Sequence, residues 1–149
     1  MDKFIINGGK RISGSVDISG AKNAVLPLMT AALLVDGETT INSVPDLRDT
    51  RTMIRLLKII GAEVAFKNSS LAINASGVNN LEAPYDLVKT MRASFYVLGP
   101  LLARFGEVRV SLPGGCAWGP RPVDYHLKGL EKLGATISLE SGYIMAKAK

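Results

Sequence analysis

The chain repeats itself, and that repeat limits the folds open to it. Displaced by 69 positions, Asp17 meets Asp86, Ala24 meets Ala93, Leu33 meets Leu102, Gly37 meets Gly106 and Glu38 meets Glu107, without a gap. Displaced by 73, Leu57 meets Leu130, Gly61 meets Gly134 and Ala62 meets Ala135. A chain of this kind is two copies of one supersecondary unit, and neighbouring copies must cover each other's apolar faces. The change of displacement is a four-residue insertion in the second copy, between a strand at Glu107–Ser111 and the helix after it.

The order of elements follows from the first copy. Phe4-Ile5-Ile6 and Gly14-Ser15-Val16-Asp17-Ile18 read as short strands around the turn Asn7-Gly8-Gly9-Lys10. Ser19-Gly20-Ala21-Lys22-Asn23 opens a helix running to about Val35, with Pro27 tolerable near its first turn and otherwise a kink, and Gly37 ends it. A strand at Glu38–Val44 and a turn at Pro45-Asp46 lead to a helix at Asp49–Ile60, whose Met53, Leu56, Leu57 and Ile60 share one face before Gly61. Strands near Glu63–Phe66 and Leu71–Asn74 close the unit around Lys67-Asn68-Ser69-Ser70. The predicted class is therefore α/β (α+β), with repeated βαβαββ units at about residues 16–79 and 85–149.

The insertion is the chemically interesting stretch. Ser111-Leu112-Pro113-Gly114-Gly115-Cys116-Ala117-Trp118-Gly119-Pro120-Arg121-Pro122-Val123-Asp124 holds the only cysteine, where the first copy turns the same corner with Val44-Pro45-Asp46. Glycines on both sides of Cys116 predict an exposed thiol. Pro122 suits a first helical position, with Arg121 at the N-cap, so that a guanidinium and free backbone N–H groups would face the thiol. Residue types alone leave two readings open: an inert cysteine in a Gly-Pro turn, or a titratable group beside an anion site.

The two helix starts point the same way. Asn23 falls opposite Arg92, so equivalent N-termini carry Lys22-Asn23 in one copy and Arg92 in the other, both suited to anions. The plain alternative is that Arg92 pairs with an acid and Lys22 is solvated. Net charge is +5, but the 18 Lys and Arg are scattered with little aromatic interleaving, which argues against nucleic acid and suits either a small phosphorylated ligand or an ordinary solvated surface. One cysteine excludes an internal disulfide, and with His126 the only histidine no metal site is expected. Met1-Asp2-Lys3-Phe4 has no signal pattern and the apolar stretch Ala24–Val35 is too short to span a bilayer, so no membrane contact and a cytoplasmic location are expected.

Three motifs together carry a resemblance: Ser19-Gly20-Ala21-Lys22-Asn23-Ala24; Ala83-Pro84-Tyr85-Asp86-Leu87-Val88-Lys89-Thr90-Met91-Arg92-Ala93-Ser94; and Leu112-Pro113-Gly114-Gly115-Cys116 followed by Arg121-Pro122-Val123-Asp124. In order and nearly without gaps, the chain resembles the UDP-N-acetylglucosamine 1-carboxyvinyltransferase family. The resemblance implies transfer of the enolpyruvyl group of phosphoenolpyruvate to the 3′-hydroxyl of UDP-N-acetylglucosamine, without a cofactor. It implies an inside-out α/β barrel of six βαβαββ units in two domains, of which two units are present here. Lys22 and Asn23 would contact phosphoenolpyruvate. Arg92, Arg121, Pro122, Val123, Asp124 and Tyr125 would contact the UDP-sugar, and Cys116 would be the proton donor. Trp118 and Tyr125 are bulkier than the aliphatic residues expected there.

The resemblance implies that the family's members continue beyond the position of Lys149, through a third unit and a second domain, and that the carboxylate associated with deprotonating the sugar hydroxyl lies in that continuation. The resemblance thus divides this chain into N-terminal strands over 1–20, packed in the family with the second domain, and an incomplete first domain over 21–149. Uncovered faces would make such a chain marginal or self-associating, with little turnover alone. Two other readings stand beside the main one. A shikimate-3-phosphate enolpyruvyl transferase shares the repeat and a lysine at the Lys22 position but lacks the cysteine loop; a non-catalytic fragment would bind a UDP-sugar or only self-associate.

Overall fold

The computed structural model describes residues 3–112 and 123–149. Its first unit runs α1 (Lys22–Ala31), a 3-10 turn (Ala32–Leu34), β1 (Glu38–Ile41), α2 (Arg48–Ile60), β2 (Glu63–Lys67) and β3 (Ser70–Asn74). The second runs β4 (Glu82–Ala83), α3 (Tyr85–Val88), a 3-10 stretch (Arg92–Val97) continuing into α4 (Leu98–Phe105), β5 (Glu107–Ser111), α5 (Asp124–Lys132), β6 (Thr136–Glu140) and β7 (Tyr143–Lys147). Each unit folds its last three strands into an antiparallel sheet with the final strand central, β1-β3-β2 and β5-β7-β6.

The duplication is kept residue by residue in the hydrogen-bond register. Glu38 faces Asn74 and Glu63 faces Asn74 in the first sheet; Glu107 faces Lys147 and Thr136 faces Lys147 in the second. A one-residue slip would turn every inward side chain out, so alternation on the central strands holds the register: Leu71 and Ile73 are buried on β3, Ile144 and Ala146 on β7. The sheets differ at one edge, where β4 adds to β5 in parallel.

The strands expected over residues 4–6 and 14–18 are not formed. Residues 3–20 carry no helix or strand, and Phe4, Ile5, Ile6, Ile12, Val16 and Ile18 are exposed. The alternation is real, but a lone hairpin with no sheet to join and no core to face is marginal in water. The first strand also ends sooner than expected, at Ile41. Ser43 takes a positive φ of 58°, and Val44 donates its N–H to the Ser69 carbonyl at 2.8 Å, outside the ladder.

Helix ends follow local chemistry. Pro27 is the sixth residue of α1, so it removes the N–H that would reach the Asn23 carbonyl. Pro100 falls in the first turn of α4, where its missing N–H costs little, and there the 3-10 stretch becomes α-helix. Gly61, at φ 107°, closes α2; an added Cβ would lie 2.6 Å from the Gly77 carbonyl oxygen. Helix α5 starts at Asp124 with Val123 at the N-cap, which corrects the cap expected at Arg121; Arg121 and Pro122 lie outside the described residues.

The units share one core. Met29 of α1, Leu33 of the 3-10 turn after it, Met53, Leu56, Leu57 and Ile60 of α2, and Leu98 and Leu101 of α4 are fully or nearly fully buried together with Leu71, Ile73, Val110 and Ile144 from the sheets. No described helix is long and apolar enough to cross a membrane.

Candidate functional site

A cavity of about 350 Å³ opens where the two units meet. Lys22, Asn23 and Leu26 line it from α1, Asp49 from α2, Thr90 to Ala93 with Phe95 and Tyr96 from the start of the second unit, and Val123 and His126 from the start of α5. Three helices of nine residues or more thus direct their first turns at one space. Among the described residues none of the three N-termini has a side-chain cap: Ala21, Leu47 and Val123 occupy the cap positions and offer no capping atom. The first intrahelical bonds are those of Ala24 and Val25 to the Ala21 carbonyl, of Arg51 to the Leu47 carbonyl, and of His126 and Leu127 to the Val123 carbonyl. The N–H groups ahead of these lack helical acceptors, and a helix N-terminus carries partial positive charge.

The charged side chains add to that field. Lys22 and Arg92 bring two cations to the lining and Asp49 one anion. Lys22 Nζ lies 2.9 Å from Asp49 Oδ2, so this lysine is paired rather than merely solvated. His126 stands edge-on to Phe95 with ring centroids 5.7 Å apart, on the partition between this cavity and a second. Such a lining suits a small, multiply charged anion: two cations and several backbone donors converge against one carboxylate.

Of the residues singled out from sequence, Lys22, Asn23, Arg92 and Val123 meet in this cavity. Asp124 does not line it; the residue is half-buried, with Oδ2 3.8 Å from Lys128 Nζ and Oδ1 buried without a hydrogen-bond partner among the described residues. Tyr125 lies largely exposed on the neighbouring apolar groove of about 490 Å³, beside Leu34, Leu130 and Leu133. Cys116, Arg121 and Pro122 are outside the described residues, in the segment between Leu112 and Val123. Sequence reasoning does not single out Asp49 or His126. Their only local signal is a place in the first turn of a helix, and the crossing of the units decides that those turns meet.

Residues 6–149 match the family model of EPSP synthase (3-phosphoshikimate 1-carboxyvinyltransferase). The chain belongs to the EPSP synthase family. Within this family of enolpyruvyl transferases it is 59% identical over 148 residues to a UDP-N-acetylglucosamine 1-carboxyvinyltransferase of Chlorobaculum parvum, covering 99% of this chain and 35% of that protein. It is 58% identical over 150 residues to the protein of the same name from Chloroherpeton thalassium, covering 100% and 35%. The likeness carried by the three motifs therefore extends over nearly all of the chain, which spans about a third of the length of the curated relatives it matches. Among solved structures, the enolpyruvyl transferase NikO from Streptomyces tendae superposes with a TM-score of 0.80 at 27% identity, over 95% of this chain and 31% of that one. An EPSP synthase from Acinetobacter baumannii superposes with a TM-score of 0.70 at 18% identity, over 95% and 34%, a likeness of fold alone. The βαβαββ unit read from the repeat is thus part of the EPSP synthase family fold.

Proposed function

We propose that this chain builds the phosphoenolpyruvate and UDP-sugar side of a UDP-N-acetylglucosamine 1-carboxyvinyltransferase. That reaction, the first committed step of peptidoglycan synthesis, runs in the cytoplasm. The observation that carries the reading is the cavity where Lys22 and Asn23 of one unit meet Arg92 of the other across three uncapped helix N-termini. Its identity of 59% to a UDP-N-acetylglucosamine enzyme, against 18% to an EPSP synthase, favours the UDP-sugar over shikimate 3-phosphate as acceptor.

The chemistry asks for these residue types. The 3′-hydroxyl oxygen adds to C2 of phosphoenolpyruvate while a proton goes to the C3 methylene; loss of phosphate and of one C3 proton then restores the double bond. Cys116 is the proton donor. With an unperturbed pKa of roughly 8.5, a thiol is mostly protonated at neutral pH, and Arg121 would stabilise the thiolate left behind. Lys22 and the donors of Asn23 and the α1 N-terminus hold the phosphate and carboxylate of phosphoenolpyruvate, where charge builds as C2 is attacked. Arg92, Arg121, Pro122, Val123, Asp124 and Tyr125 hold the sugar nucleotide, whose unreacting part supplies the orientation. No cofactor is required by this scheme, and the carboxylate that deprotonates the hydroxyl is supplied from outside these residues.

Fosfomycin, an epoxide phosphonate, tests the reading through the single cysteine. Incubation followed by intact-mass measurement should give one adduct, formed faster when UDP-N-acetylglucosamine is present. Absence of an adduct while N-ethylmaleimide still labels Cys116 would remove the assembled site. A second reading, a UDP-sugar-binding unit without turnover, asks only for the Lys22 and Arg92 cations of the cavity lining and for no proton donor. Calorimetry with UDP-N-acetylglucosamine beside a phosphate-release assay separates the two, and binding with little release is the expected result for this chain by itself.

A further inference from the structure

We propose that Asp49 is a positioning residue for Lys22, holding its ammonium group inside the cavity in the place where the phosphate or carboxylate of phosphoenolpyruvate is received. The proposal rests on the reading of this cavity as the phosphoenolpyruvate site. Lys22 Nζ and Asp49 Oδ2 are 2.9 Å apart, and both residues line the cavity. Lys22 is the first residue of α1 and Asp49 the second of α2, so the pair joins two of the three helix N-termini that meet there.

The repeat shows that the fold does not require the pair. At the same positions the second unit has Met91 and Pro122, and it forms the same sheet in the same register. Stability does not account for it either: the side chains are 47% and 32% exposed, and ion pairs that open to water contribute little. By charge alone Asp49 is unfavourable in an anion site, since its carboxylate offsets one of the two cations in the lining. What it supplies is order. A lysine head on four flexible carbons spends much of its time in bulk water unless something holds it. Asp49 is itself well placed as a holder, because a carboxylate in the first turn of a helix is favoured by the N-terminal field. An arriving dianion then meets an ammonium already in position and displaces a singly charged carboxylate.

Position and charge predict opposite signs, which makes the test decisive. Phosphoenolpyruvate is titrated into the whole chain by calorimetry, for wild type, Asp49→Asn, Asp49→Glu, Lys22→Met and the Asp49→Asn/Lys22→Met double variant, with thermal melts to confirm that each is folded. Asp49→Asn should weaken binding by about tenfold, Asp49→Glu should restore it to within about threefold, and Asp49→Asn should add nothing once Lys22 is methionine. Unchanged or tighter binding in Asp49→Asn overturns the proposal. A second measurement needs no substrate: acetylation of Lys22 by dilute acetic anhydride, read by peptide mass against the other lysines of the same sample. Loss of the holding carboxylate should speed it by about fivefold, and Asp49→Glu should not. An unchanged rate in Asp49→Asn also overturns the proposal. If wild type takes up no phosphoenolpyruvate while Lys22 acetylation still depends on Asp49, the holding of Lys22 is supported and the substrate reading falls instead.

Discussion

Arg104 ties the two units together. From α4 of the second unit its guanidinium donates to the Leu33 carbonyl at 3.0 Å, the Val35 carbonyl at 3.3 Å and the Ala75 carbonyl at 3.0 Å, and pairs with Asp36 at 2.8 Å. Those acceptors sit at the end of the first helix and just past β3, where helical and ladder donors have run out. The side chain is only 17% exposed, so its loss would strand carbonyls that water reaches poorly. Arg104→Met is expected to lower stability by about 2–4 kcal/mol, and Arg104→Lys to recover part of it, as read from urea midpoints at unchanged slope. Gly20 is the second demanding position. A Cβ there would lie 1.8 Å from the Ser43 carbonyl oxygen, a backbone atom with no side-chain torsion to relieve it, so Gly20→Ala must displace the entry to α1 or the turn at Ser43. It should cost more than about 1–3 kcal/mol and weaken any ligand held by Lys22 and Asn23; an unperturbed melt would show that the contact is easily relieved.

Helices α2 and α5 are the same element in two surroundings. Ile60 and Leu133 occupy equivalent positions, yet Ile60 is 0% exposed and Leu133 85%. The C-terminal end of α2 is covered by the segment that links the units, where Asn79 and Asn80 donate their N–H groups to the Ile60 carbonyl; no residue of α5 is buried. Ile60→Ala should therefore destabilise by about 2–5 kcal/mol and Leu133→Ala by under about 0.5 kcal/mol, a contrast that parallel chemical melts would check. Periodicity made both helices legible, since Leu57 and Leu130 mark the same face in either copy. It could not say which face would be covered, because burial belongs to the neighbour and not to the stripe. The same limit explains residues 3–20, whose alternation is that of a strand but which have no partner to complete a ladder.

At the scale of the molecule, the apolar groove beside α5 and the exposed apolar residues of 3–20 are surface that water covers at a cost. Sedimentation velocity across a range of concentrations should show this chain self-associating, and replacing Leu34 and Leu133 by lysine should shift it toward monomer; a wild-type chain that stays monomeric would refute the expectation. The sequence by itself determined the duplicated unit, the order of helices and strands, the four-residue insertion around Cys116 and the candidate residues Lys22, Asn23 and Arg92. Each of these is a local matter of period, turn chemistry or spacing, which short-range sterics and solvation settle along the chain. Only the tertiary structure decided that three helix N-termini open on one cavity, that Asp49 holds Lys22 there, and that Asp124 and Tyr125 lie off its lining. Those outcomes depend on how one unit crosses the other, and that crossing is set by burial of a shared core between residues far apart in the chain.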